Sequence, residues 1–278
     1  MKRQQLLKQR IQTLTALRDA VGAMRSLAAH HFRRARQALA AARRYRGEMD
    51  MIIAQIGIHQ PLHAGLPAGL LVVASDLGLC GDYNTRLAHR AITEAQEHHV
   101  RHLYSVGRRV RGSLARHKLT PDRSYEAPAS FEGVSRLLLG LAQDLLDDYL
   151  EKRIGSLQVV SASFDGVGHF TPVTVRLLPI EPVAADRELR RSSYNDSNHL
   201  TIVAVREFVY ITLYEILLDS LAAEHGMRLM AAESALDWLD NTATMTSRRL
   251  ASARSEASTQ ELLDIISGSR QRLHAESR

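Results

Sequence analysis

Helix-breaking residues are confined to the middle of the chain. No proline precedes Pro61 and none follows Pro182, and beyond Gly168 the only glycines are Gly226 and Gly268. Both residue types disfavour helix interiors, so the two ends are open to long helices and the middle is the place for turns. The organisation this predicts is a coiled-coil helix over 1–60, a central α/β domain over 61–190 and a second coiled-coil helix over 191–278.

The first end carries the matching apolar pattern. Leu7, Leu14, Val21, Ala28, Ala35, Ala42, Met49 and Ile56 fall seven apart, and Ile11, Leu17, Met24, Phe32, Leu39, Tyr45 and Ile53 follow them by three or four. That is a coiled-coil seam. A helix from residue 3 to 57 would be roughly 80 Å long, too long to stand without a partner helix. The last third repeats the pattern with Ile202, Val209, Ile216, Ala223 and Met230 at sevens and Val205, Leu213 and Leu217 between them. Two such ends pair most simply with each other as an antiparallel coiled coil. Near the C-terminus Leu262, Leu263, Ile265 and Ile266 form an apolar cluster wider than a pair of helices needs, so it calls for a cover from outside the chain.

Between the ends, "LLVVAS" and "RHLYSVG" read as buried strands, and residues 85–99, 107–118 and 131–152 as helices. "LQVVSASF" and "TPVTVRLLPI" read as a strand hairpin turning at Asp165 to Gly168. Strands alternating with helices give a small parallel or mixed, Rossmann-like sheet with helices on its faces.

With 278 residues, 45% of them hydrophobic, the chain can bury one or two sizeable cores. The net charge of +6 points to an acidic partner. Arg10, Arg18, Arg25, Arg33, Arg34, Arg36, Arg43, Arg44 and Arg46 make the first helix a basic rod. Such a stripe suits nucleic-acid phosphates or an acidic protein surface. Its only nearby aromatics, Phe32 and Tyr45, belong to the seam, so no stacking platform accompanies it and the protein surface is favoured. Cys80 is the single cysteine, which rules out an intramolecular disulfide and a multi-cysteine metal site and fits a reducing compartment. The opening "MKRQQLLKQRIQTL" lacks the apolar run of a secretion signal, and no apolar stretch is long enough to span a membrane.

The most suggestive motif is "SDLGLCGDYN", residues 75–84, a glycine turn between a strand and a helix. A phosphate loop requires Gly-x-x-x-x-Gly-Lys-Ser/Thr, whereas Gly78 and Gly81 are three apart and the next basic residue is Arg86. The motif therefore reads as a structural turn in which both glycines take backbone angles closed to other residues. His89, His98, His99 and His102 are near Cys80 in sequence, yet no Asn or Asp is placed to complete a Cys-His nucleophile, and a lone cysteine beside a buried strand is ordinarily core. The pairs His30/His31 and His98/His99 point apart on a helix and read as solvated faces. Asp147 and Asp148 lack a second carboxylate at a defined distance for acid/base work. No catalytic residue, cofactor or metal ligand is expected.

Three separated segments resemble the gamma subunit of F-type ATP synthases. "RIQTLTALRDAVGAMRSLAAHHFRRA" is similar to that family's opening helix at Arg10, Ile11, Ala23, Met24, Ala28, Ala29 and Ala35. "SDLGLCGDYN" resembles its Asp-x-Gly-Leu-Cys-Gly-x-x-Asn signature at Asp76, Gly78, Leu79, Cys80, Gly81 and Asn84. "AEHGMRLMAAESALD" and "ARSEASTQELLDIISGS" are similar to its closing helix at Glu224, Arg228, Ala231, Ala235, Asp237, Arg254, Thr259, Gln260, Glu261, Leu262, Ile265 and Gly268.

The resemblance implies a central rotor stalk that is not itself catalytic. Its terminal helices would pass through a ring of three alpha and three beta subunits, which bind the nucleotide. Its α/β domain would sit beside the epsilon subunit on the membrane ring of c subunits. It implies a peripheral place on the cytoplasmic face of a bacterial inner membrane, proton or sodium ions as the transported species, and no nucleic acid among the partners. Residue by residue, it implies that Met24 and Arg25 meet the acidic lever of the catalytic subunit. Arg254, Thr259 and Glu261 would engage the ring's inner loops, Leu262, Leu263, Ile265 and Ile266 would run in an apolar bearing at the top, and Asp76, Gly78, Cys80, Gly81 and Asn84 would form a structural turn. The departures are Ala251 and Ser255 where the family has Asn and Gln, Glu233 where it has Lys, and Trp238 in place of Asn. They fit a divergent member, similar to the alternative ATPase that some bacteria carry beside the main synthase.

Overall fold

The structure, a computed structural model, describes residues 2–56, 65–180 and 197–276. The boundaries expected at 60/61 and 190/191 lie outside the described residues. The described chain begins with helix α1 (Lys2–Ile56) and ends with helix α5 (Ser197–Glu276), the two long helices the breaker-free ends require. Between them run β1 (Ala68–Val73), α2 (Tyr83–Glu97), β2 (His102–Val106), α3 (Arg111–Arg116), β3 (Arg123–Tyr125), α4 (Phe131–Leu150), β4 (Ser156–Gly166) and β5 (His169–Leu178). Two compact units divide these elements: Leu27–Ala231, and Met1–Ser26 together with Ala232–Arg278.

In the larger unit the strand order is β3-β2-β1-β4-β5. β1 pairs in parallel with β2 and β4, β2 in parallel with β3, and β5 closes the sheet antiparallel to β4 as the expected hairpin, with Gly168 at φ 78° in its turn. β3 escapes sequence reading because its three residues form a short edge strand without apolar alternation. The pleat sorts the core. Leu71, Val73, Tyr104, Val106, Leu157 and Val159 pack against α1, α4 and α5, while Leu70, Val72, Leu103, Val160 and Ala162 face α2 and α3. Gly107 lets β2 leave the sheet: its φ is 94°, and a Cβ there would lie 2.6 Å from the Ala74 backbone.

α5 within this unit is not the narrow stripe its heptads suggest. Val209, Ile211, Thr212, Leu213, Ile216, Leu217, Leu218, Ser220, Leu221, Ala222 and Ala223 are all buried, so the helix is covered on nearly every side. α1 runs antiparallel beside it, as shown by Arg43 bonding Asp219 and Glu215 and by Arg46 bonding Glu215.

The smaller unit is a two-helix coil. On α5, Ala232, Leu239, Thr246 and Ala253 are buried at intervals of seven, with Leu250 between them, and Leu14 is buried on α1. Arg18 meets Asp240 at 2.6 Å and Arg3 meets Glu256 at 3.4 Å, so here too the helices are antiparallel. Four expected seam residues, Leu17, Tyr45, Ile202 and Met230, are instead exposed. An apolar residue at heptad spacing is not buried unless a neighbour reaches it; Tyr45 donates its hydroxyl to Glu207 at 3.0 Å at the rim.

Candidate functional site

The glycine turn is built by its own side chains. The backbone N–H of Ser75 donates to Asn84 Oδ1 at 3.0 Å, and Asn84 Nδ2 donates to Ser75 Oγ at 2.8 Å and to Cys80 Sγ at 3.2 Å. Asp76 accepts from the backbone N–H groups of Arg108 at 2.7 Å and Ala127 at 3.2 Å, tying the turn to the loops after β2 and β3. Asp76, Cys80 and Asn84 are all engaged in hydrogen bonds within this turn or from it. Gly81 has the positive φ expected, 58°, but Gly78 does not. The second left-handed residue is Leu79 at 59°, and what lies against Gly78 is the Arg109 guanidinium, 3.1 Å from where a Cβ would be. Burial raises the Cys80 thiol above its usual pKa, the opposite of what a nucleophile needs.

In a doubly wound sheet, ligands bind outside the carboxyl ends of the strands where strand order reverses. In this sheet that switch point falls between β1 and β4, and α5 occupies it. The last β1 partner on β4 is Val160. Beyond it, the backbone N–H of Ala162 donates to Ser220 Oγ at 3.4 Å and that of Phe164 to Asp219 Oδ1 at 3.2 Å. From the turn, Tyr83 donates its hydroxyl to the Ser220 carbonyl at 3.1 Å, and Arg228 Nε donates to the Gly78 carbonyl at 3.3 Å. Arg228 also bonds buried Glu224, and its Nη1 lies 3.0 Å from His225 Nδ1. The crevice where a nucleotide would bind is filled by polar side chains of a helix. Sequence reading missed Asp219, Ser220 and His225; the signal available was polar residues inside the most apolar stretch of α5.

The buried polar groups are perturbed accordingly. Burial raises the carboxyls of Glu224 and Asp219, against the lowering pull of Arg228 and Arg43 respectively. Burial, with Arg228 and His31 adding to it, lowers His225 to about 3. The ring of His31 lies 5.1 Å from that of His225, so His31 is part of this packing and not of a solvated face. Asp148 is likewise structural, accepting from the Tyr104 hydroxyl at 2.7 Å and from Arg153 and Arg123. A possible ligand cluster of Glu94, Glu97 and His98 is already engaged, since Glu94 bonds Arg90 at 2.6 Å and Thr174 at 2.7 Å.

The basic face is partly spent within the chain. Arg18, Arg34, Arg43 and Arg46 pair with carboxylates, while Arg36 lies over Phe164 at 4.7 Å. Arg10, Arg25, Arg33 and Arg44 are exposed. In the coil unit Met24 is half-buried, Arg25 shares a groove with Asp19, Asp237 and Asp240, and Arg254, Thr259 and Glu261 are exposed. Leu262, Leu263, Ile265 and Ile266 present 61%, 55%, 67% and 50% of their surface. Glu233, Trp238, Ala251 and Ser255, the departures from the family pattern, are also on exposed positions of α5.

The ATP synthase family model matches residues 3–270 of this chain. The chain belongs to the ATP synthase gamma-chain family. A relative from Trichlorobacter lovleyi, named ATP synthase gamma chain, is 30% identical, with 94% of this chain and 96% of that one covered. Among solved structures, a chain of the Euglena gracilis mitochondrial ATP synthase superposes with a TM-score of 0.66 at 13% identity, covering 100% of this chain and 96% of that one. A central-stalk chain of the Tetrahymena thermophila mitochondrial ATP synthase gives a TM-score of 0.60 at 17% identity, covering 78% and 99%. Long helices at both ends with a five-stranded mixed sheet between them are that fold. By family the chain is an ATP synthase gamma chain, and the switch-point crevice of its Rossmann-like sheet is filled by α5. None of the described helices is long and apolar enough to cross a membrane.

Proposed function

We propose that the chain turns as the shaft between an ion-driven c-subunit ring and a ring of three alpha and three beta subunits. The coil unit lies within the alpha/beta ring, and the sheet unit meets epsilon and the c ring at the membrane's cytoplasmic face. The observation that carries this reading is the exposure of four large apolar side chains, Leu262 to Ile266, on the stretch of α5 past Glu256, the residue that pairs with Arg3 at the start of α1. A monomeric protein does not ordinarily leave such a cluster to water, and a surrounding apolar sleeve covers it. Met24 and Arg25 meet an acidic lever on the catalytic subunit, and Arg254, Thr259 and Glu261 engage the ring's inner loops. With Ala251 and Ser255 beside Arg254, that catch lacks paired amides worth about 0.5–1.5 kcal/mol per hydrogen bond. The chain forms and breaks no covalent bond. Its asymmetric surface biases each catalytic subunit in turn between open and closed states.

The test is co-expression with alpha and beta subunits from the same genome, followed by gel filtration and an ATPase assay. One copy per ring with sustained hydrolysis supports the shaft; elution alone with unchanged hydrolysis refutes it. Nucleic-acid binding is the weaker reading, because four of the arginines that would supply it are paired with carboxylates of the chain itself.

A further inference from the structure

A shaft is useful only if the body fixed to it cannot turn around it. The greater part of the contact between α5 and the sheet unit is apolar: Val209, Leu213, Leu217, Leu221 and their neighbours. Apolar attraction is non-directional, whereas a hydrogen bond weakens steeply once its angle is lost. Ser220, Glu224 and Arg228 are spaced at four and four, which places them along one side of α5, and Asp219 stands about a quarter-turn round the helix from Ser220. They reach three separate pieces of the sheet unit: the β4 backbone at Ala162 and Phe164, the Tyr83 hydroxyl, and the Gly78 carbonyl. Asp219 is also held by Arg43 of α1 at 2.9 Å. The Glu224–Arg228 pair is buried, and buried ion pairs can often be replaced by apolar residues without loss of stability. Stability alone therefore does not account for it.

We infer that Asp219, Ser220, Glu224 and Arg228 form a polar lock that fixes the angular register of α5 against the sheet, so that torque passes between them without slip. These are positioning residues, and their role rests on the shaft reading given above. Arg228 is central, because its fork holds Glu224 with Nη2 while Nε holds the Gly78 carbonyl. Lysine keeps the charge that neutralises Glu224 but lacks the planar fork that presents separate N–H groups to the two acceptors.

The experiment uses the whole ATP synthase carrying this chain, reconstituted in lipid vesicles. ATP hydrolysis and ATP-driven membrane potential are read together, the latter with a voltage-sensitive dye that responds to either ion. The variants are Arg228→Lys and the double Glu224→Leu/Arg228→Met, which removes both charges while keeping volume. Leu138→Ala in α4 is the control, weakening the same core without touching the lock. The expected result is that both lock variants assemble and hydrolyse ATP but build less potential per ATP than the parent, while Leu138→Ala keeps the parental ratio. An unchanged ratio in the lock variants, or an equal fall in Leu138→Ala, overturns the lock. Should the double variant fail to assemble, Arg228→Lys decides. A parent chain that neither joins the complex nor supports any potential removes the shaft reading itself, an outcome distinct from a parent that couples beside variants that couple equally well.

Discussion

One helix, α5, has two lives. From Val209 to Arg228 no residue is exposed and most are buried, including Thr212, Ser220, Glu224, His225 and Arg228. From Ala232 onward burial shrinks to Ala232, Leu239, Thr246, Leu250 and Ala253 among the residues described, while Trp238, Met245 and Leu262 are exposed. Both stretches carry apolar residues at sevens, so the difference lies in what surrounds them. The sheet, the glycine turn at Gly78 and helices α1 and α4 cover the first stretch. A single helix covers the second, and one partner can shield only a stripe. On the shaft reading proposed above, the surface left over is what an outside partner covers.

The largest effect is expected where cover is complete. Leu213→Ala should cost about 2–5 kcal/mol by urea unfolding, and Leu250→Ala, at the edge of a two-helix seam, should fall at the low end of that range. Equal costs would show that the coil is as tightly enclosed as the sheet unit.

Acid should separate the two stretches next. His225 is held neutral in the fold, with its pKa lowered from the usual 6.5 to about 3. Between those values the unfolded chain binds the proton and the fold does not, so stability is complete above 6.5 and is lost as pH falls toward 3. The slope from this one group is at most about 1.4 kcal/mol per pH unit. The raised pKa of Glu224 works with the opposite sign, its contribution falling as pH rises above the ordinary carboxylate range. His225→Gln, which keeps an acceptor for Arg228, isolates the first effect: the parent should lose stability relative to this variant as the medium is acidified. Parallel profiles would remove His225 from the account.

Surface pairing in the coil should matter less. Arg18→Ala breaks a half-exposed pair with Asp240 and should cost about 0.2–1 kcal/mol, less in high salt. Smallest of all for the isolated chain is Leu262→Ser with Ile265→Ser, expected to change its stability by no more than about 0.5 kcal/mol, yet to weaken co-elution with alpha and beta subunits. If those substitutions unfold the chain instead, the cluster is core and not an interface.

Much of this was legible in residue order. The absence of proline before Pro61 and after Pro182 gave both long helices, and apolar runs bounded by turns gave four of the five strands. The site was legible in part. Asp76, Cys80 and Asn84 carried the family's turn signature and do hold the turn together, but Gly78 lacks the backbone angle assigned to it, because Leu79 takes the left-handed position. Heptad spacing also placed Leu17, Tyr45, Ile202 and Met230 in a seam they do not enter. Periodicity states which side chains share a face, not whether anything covers that face.

The sequence by itself determined the local structure, since helix and strand propensities and breaker positions act over a few residues: two helical ends, an alternating middle and a turn unfit for phosphate. The tertiary structure alone decided that α5 fills the switch-point crevice. That outcome depends on β1 ending at Val73 while β4 runs on to Gly166, on Ala162 and Phe164 then having N–H groups for Ser220 and Asp219 to accept, and on Arg228 reaching the Gly78 carbonyl 150 residues away in the chain. Contacts at that separation have no signature in local sequence, because they exist only once the sheet and the helix are packed together.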